Sequence, residues 1–141
     1  MILELPSRTE FLSLARGVTM RLAEAAGFDD GVAARMGLAV DECVTNVIKH
    51  AYHGADDRAV EIRIDDVGRD FKVEVLDNGD TLDLKAIPRV DLATYAAERR
   101  RGGLGVHLME KIMDSVTFSR LARRNVCRLV KRKPEEGSTG R

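Results

Sequence analysis

Apolar positions change their period several times along the 141 residues, and each change marks an element. Residues 2–5 alternate and predict a short strand. Thr9 is placed to cap a helix in which Phe11, Leu14, Ala15, Val18, Leu22 and Ala25 recur at helical spacing. Gly27 breaks it. Asp29 or Asp30 restarts a longer helix to about His53, with Val32, Met36, Val40, Val44, Val47 and Ala51 on its buried side. "AVEIRIDD" alternates through Val60, Ile62 and Ile64, "VGRD" makes a turn, and "FKVEVLDNGD" alternates through Phe71, Val73 and Val75. These predict a hairpin with one buried face. Residues 80–101 hold Pro88 and no long period; a connection of that length suits a lid or binding loop, with a short helix around Leu92–Glu98. "RRRGGLGVHLMEKIMD" opens a helix with Val106, Met109, Ile112 and Met113 apolar. "SVTFSRL" and "NVCRLVKR" then form a last hairpin around "ARRN".

This order predicts an α+β fold. It is a two-layer sandwich with one mostly antiparallel, mixed sheet and three main helices on one face. The length fits a single domain over residues 1–133, followed by a disordered polar tail, 134–141. Lys plus Arg and Asp plus Glu number 23 each, so no basic footprint points to nucleic acid. No apolar run approaches the roughly 20 residues that span a bilayer. "MILELPSRTE" lacks the basic start and apolar stretch of a signal peptide. Cys43 and Cys127 have no CxxC spacing and no ligand partners for zinc, so they read as two buried thiols in a reducing cytoplasm.

Three segments carry candidate chemistry. In "LAVDECVTNVIKHAY", taking Glu42 as origin and about 100° per residue, Asn46 lies at about 40°, Lys49 at about −20° and His50 at about 80°. Val40, Val44, Val47 and Ala51 cluster about 140–200° away. This polar stripe opposes the apolar one, and either water or a ligand can face it. In "VLDNGD", Asp77 ends a strand beside Gly79. A simple turn explains the residues, but such an Asp can also accept a bond from an exocyclic amine while glycine lets a flat ring approach. In "RRRGGLGVHLMEK", Gly102, Gly103 and Gly105 precede a helix beside Arg99, Arg100 and Arg101. That is either a glycine hinge by a solvated basic run or an anion site. It is not a Walker A loop, since no GK[ST] follows.

Together the three segments resemble the N, G1 and G2 boxes of the GHKL (Bergerat-fold) ATP-binding superfamily. More narrowly, the chain from about Ile2 to Lys133 is similar to the small bacterial anti-sigma-factor serine kinases of the RsbW and SpoIIAB type. The resemblance implies a role for each matched residue. Asn46 would ligate Mg²⁺ through its side-chain oxygen, and Glu42 would accept the proton of an attacking serine. Asp77 would bind the adenine amino group and Gly79 would admit the ring. Gly103, Leu104, Gly105 and Val106 would border the phosphates of ATP or ADP, with Arg101 neutralising charge in the transition state. Lys49 and His50 would lie near the phosphates. Thr81 stands where many superfamily members carry a second glycine. Arg128 falls near the position of an adenine-holding Thr in the family, which puts that contact in question.

The resemblance further implies an ATP- and Mg²⁺-dependent serine kinase that binds a sigma factor. It would phosphorylate a STAS-type anti-sigma-factor antagonist, whose added charge weakens its hold. Such proteins pair as homodimers, with the first strand and first helix as the shared surface. A nucleotide-binding interaction module without phosphotransfer is the main rival. An α+β domain that binds no nucleotide is the blander one.

Overall fold

The computed structural model describes residues 1–80 and 106–135. The expected lid with its short helix, Thr81, Arg99 to Arg101, Gly102 to Gly105 and the tail from residue 136 lie outside the described residues. Strand β1 (Ile2–Pro6) leads through a 3₁₀ turn (Thr9–Phe11) into α1 (Leu12–Ala25). Helix α2 (Asp30–Asn46) passes into a π turn (Val47–Ala51). Strands β2 (Ala59–Val67) and β3 (Asp70–Asp77) follow, then α3 (Val106–Ile112), β4 (Ser115–Leu121) and β5 (Arg124–Arg132).

The five strands form one sheet in the order β1-β2-β3-β5-β4. Each neighbouring pair is antiparallel, so the mostly antiparallel sheet of the sequence reading is wholly so among the described strands. Register lines up Leu5 with Val60, Ile62 with Val75, Val73 with Leu129, and Val75 with Cys127. These residues are buried and meet α2 and α3 in one core that includes Met36, Val40, Val44 and Met109. The opposite face carries charge in ion pairs: across strands Arg128 meets Glu74 at 2.8 Å and Arg124 meets Glu61, and along β2 Arg63 meets Glu61 as well. A sheet apolar on one side and ionic on the other takes helices on one side only.

Asp29 caps α2, accepting from the Val32 N–H at 2.8 Å. Thr9 caps nothing; it opens the 3₁₀ turn, and α1 begins without a side-chain cap. The buried face of α1 also differs from expectation. Ala15, Thr19 and Ala23 are the buried positions, while Leu14 stays 47% exposed. The cause lies in α2. A Cβ on Gly37 would come within 2.7 Å of Met20 and 2.9 Å of Arg16, so the two helices cross too closely for large side chains between them. Leu14 is turned outward, while Val18 and Leu22 are half-buried at the edge of the core. With Met1, Ser13, Gly17 and Arg21 they line an open apolar groove of about 420 Å³.

The β4–β5 hairpin closes through Ala122 and Arg123, both left-handed at φ 51° and 65°. Two positive-φ residues match the twist of a two-residue hairpin, but residues with a Cβ resist that conformation by about 1–2 kcal/mol each. Replacing Ala122-Arg123 by Asn-Gly should therefore raise unfolding stability by about 1–2 kcal/mol. A urea titration would read this as a higher midpoint at unchanged slope; an unchanged midpoint would mean the turn is not strained.

Candidate functional site

The stripe on α2 is neither solvated nor continuous. Glu42 is fully buried and Asn46 is 1% exposed, whereas Lys49 is half-buried and His50 exposed. Two local facts produce this. Helix α2 is buried at Ala39, Val40, Asp41, Glu42, Cys43 and Val44 in succession, so the protein covers it on more than its sheet-facing side. After Asn46 the helix widens into the π turn, which abolishes the 100° step assumed from sequence. Lys49 and His50 thus leave the line of Glu42 and Asn46. Burial lowers the His50 pKa, helped by the charges of Lys49 and His53.

Glu42 and Asn46 remain one turn apart on one face of α2. Both amide atoms of the Asn46 side chain are buried with no hydrogen-bond partner among the described residues. A buried amide left so is costly, by about 1–3 kcal/mol, unless a bound group meets it. An oxygen donor in that condition fits a hard cation.

Asp77 ends β3 on the core side of the sheet and is 2% exposed. Its Oδ1 accepts from the Gly79 N–H and from Asn125 Nδ2, both at 2.8 Å. Burial raises the Asp77 pKa; Asn125, the Gly79 N–H, Arg120 and Arg124 oppose that rise. Asn125 is the residue directly across the ladder from Asp77. Sequence reading looked to Arg128 at this place, but Arg128 lies three positions on, on the ionic face, paired with Glu74. Asn125 was missed because register across a sheet is not visible along one strand. Along the chain Asn125 belongs to the "ARRN" turn, where that residue is ordinary, so no local signal marked it.

Gly79 has a second duty. A Cβ there would lie 2.3 Å from the Ala51 carbonyl oxygen and 2.9 Å from the Ala51 Cβ. The next residue, Asp80, donates its N–H to that same carbonyl at 2.9 Å. Glycine therefore lets the turn after β3 seat against the π turn, whatever ring it admits. Tyr52 adds to the joint: its hydroxyl donates to Ala59 O at 2.5 Å and accepts from the Asn78 N–H at 3.0 Å. His53 Nε2 meets Asp80 at 2.6 Å. The segments bearing Glu42, Asn46 and Asp77 are thus joined directly.

Val106 opens the described part of α3 and is buried. Arg101, Gly103, Leu104 and Gly105 lie outside the described residues. Cys43 and Cys127 are free and buried in contact. That contact, burial and the Asp77 charge push the Cys43 thiol pKa well up.

Fold and site together define an α+β domain of the GHKL class. The chain belongs to the Histidine kinase-like ATPase domain family, whose model matches residues 5–131. Among curated relatives, the Serine-protein kinase RsbW of Listeria monocytogenes serotype 4a is 35% identical over 118 residues, covering 81% of this chain and 75% of that one. The protein of the same name from Oceanobacillus iheyensis is 27% identical, covering 83% and 77%. Among solved structures, the SiaB-SiaC complex from Pseudomonas aeruginosa contains a chain with TM-score 0.50 at 16% identity, covering 94% of this chain and 89% of that one. It agrees with the fold.

Replacing Gly79 by Ala must push the turn off Ala51. Thermal unfolding should register a loss of about 1–3 kcal/mol, and the Asp80 amide should exchange with solvent faster. Unchanged exchange at Asp80 would show that the two turns are not clasped through Gly79.

Proposed function

We propose that this chain is an ATP- and Mg²⁺-dependent serine protein kinase acting as an anti-sigma factor. Its substrate is a serine on a STAS-type anti-sigma-factor antagonist. The observation that carries the reading is the pair on α2: a buried carboxylate at Glu42 one turn before the partnerless buried amide of Asn46. The relatives named Serine-protein kinase RsbW support the same activity.

Asn46 Oδ1 would hold Mg²⁺, whose charge offsets that of the phosphates. Asp77 would accept a bond from the adenine amino group. Arg101, Gly103, Leu104, Gly105 and Val106 would border the phosphates, with Lys49 and His50 nearby. Glu42 would take the proton from the serine hydroxyl as its oxygen bonds the γ-phosphorus and the bond to the β-phosphate oxygen breaks, releasing ADP. Glu42 fits a base because its helix fixes it one turn from the metal ligand, not free on a loop. Phosphate on the antagonist then adds charge at the contact and releases it, so that sigma factor is bound again. The site of action is the cytoplasm, and no helix among the described residues is long and apolar enough to cross a membrane.

The chain pairs as a homodimer through β1 and α1. Strand β1 ends the sheet with one edge unpaired among the described strands, and Met1, Ile2 and Leu14 are 62%, 68% and 47% exposed beside the α1 groove. Leu14→Glu should convert the dimer to monomer in sedimentation equilibrium; a wild type that is monomeric at every concentration would remove this surface from the account.

The function is tested by titrating ADP and ATP calorimetrically, with and without Mg²⁺, into wild type, Asp77→Asn and Glu42→Gln. Asp77→Asn should lose binding. Glu42→Gln should keep it, while phosphorylation of the antagonist falls by a factor of about 10²–10⁴. Nucleotide binding by a wild type that phosphorylates no antagonist would favour a binding module without phosphotransfer.

A further inference from the structure

We infer that Asn125, oriented by Arg120, is the positioning residue that makes this site choose a 6-amino purine over a 6-oxo purine. The inference rests on the reading of Asp77 as the base acceptor. It starts from an amide whose direction is fixed. Arg120 can only donate hydrogen bonds, and its guanidinium lies 2.9 Å from Asn125 Oδ1. The other end of the amide, Nδ2, must therefore face Asp77, where it donates to Oδ1 at 2.8 Å. It also reaches Asp80 O at 2.9 Å and Gly79 O at 3.3 Å, and Arg120 reaches Gly79 O at 3.2 Å. The β4–β5 hairpin thus grips the turn after β3 through one buried amide.

This grip decides what Asp77 can recognise. Among the described residues, both bonds to the carboxylate end on Oδ1, from Gly79 N–H and Asn125 Nδ2, which leaves Oδ2 as the acceptor for a ligand. A 6-amino purine offers an N–H there. A 6-oxo purine offers a carbonyl oxygen, which an ionised carboxylate repels and only a protonated one could meet. A buried carboxyl tends to take a proton; a donor held against it favours the ionised form. Asn125 is such a donor, carries no charge, and cannot present its own oxygen to Asp77 while Arg120 holds that oxygen.

The experiment measures the affinities of ADP and of inosine diphosphate, its 6-oxo counterpart, for the full chain at neutral and mildly acid pH. Wild type should prefer ADP throughout. Asn125→Leu should lose about tenfold or more in ADP affinity, and the preference should shrink further as pH falls. The direction follows from Asp77: without the donor its carboxyl takes a proton at higher pH, and the protonated form no longer accepts from the amine. The other charged or titratable groups around it among the described residues are Arg120, Arg124, Cys43 and Tyr52; the last two have raised pKa values and stay neutral in this range. His53, bonded to Asp80, is removed by running each series also in a His53→Gln background.

Asn125→Thr keeps a donor hydroxyl and should recover much of the preference, which a purely structural role would not predict. If Asn125→Leu fails to fold, Arg120→Met carries the test: it leaves Asn125 in place but frees its amide to turn, and the preference should fall. An unchanged preference and pH profile in the folded variants overturns the inference. Wild type that binds neither nucleotide defeats the reading of Asp77 as base acceptor, and the inference with it. The Asp77 carboxyl titration, followed by carbon NMR without nucleotide, tells the failures apart: a midpoint that does not rise in Asn125→Leu overturns the role of Asn125 itself.

Discussion

The close approach of Gly79 to Ala51 is the contact on which the site depends. Helix ends leave carbonyls without partners, and the π turn ends with the Ala51 carbonyl presented to the turn after β3. The Asp80 N–H satisfies it at 2.9 Å, at a separation that forbids a side chain on Gly79. Helix α2 and strand β3 belong to different layers of the sandwich. This bond ties the end of one to the end of the other, so Glu42 and Asn46 on the helix and Asp77 on the strand share one frame. Tyr52 repeats the tie with two further hydrogen bonds, to Ala59 and Asn78.

Much of this frame was legible in the sequence. Alternation at Val60, Ile62, Ile64, Phe71, Val73 and Val75 gave the central hairpin because one sheet face is apolar and the other ionic. Met36, Val40 and Val44 marked the buried side of α2, and Val47 and Ala51 that of the π turn. Asp29 marked its start through cap chemistry. The parts that were not legible share one trait: each depends on a partner remote in sequence. The exposure of Leu14 on α1 follows from Gly37 on α2, the second role of Gly79 from Ala51, and the bond to Asp77 from Asn125 on β5. The π turn is the exception, a local event; its residues, Val47–Ala51, carry no composition that distinguishes a wider helix from an ordinary one.

The polar stripe was read along the chain as a face opposite the core, open to water or ligand. It turned out to be a second buried face. A helix that buries an amide with no partner among the described residues costs stability unless something polar meets it. Sites of chemistry are where such local conflicts with a well-packed core are expected. The contrast with His50 is informative: it shares the sequence stripe, yet the π turn carries it to the surface. Position on an ideal wheel was the weaker guide, and burial the stronger.

The two ends of the candidate site are built on different principles. At Asp77 the acceptor is held by paired strands: the Gly79 N–H just past β3 and the Asn125 amide on β5 both bond its Oδ1, and the guanidinium from β4 holds that amide. Strand pairing fixes those atoms without help from a ligand. At Asn46 the amide is buried on its helix, and its hydrogen-bonding atoms have no partner among the described residues. A ligand that meets both ends would therefore find its base site already organised, while supplying the polar contacts that the helix end lacks. In such an arrangement selectivity belongs to the rigid strands, and the gain in stability on binding belongs to the helix.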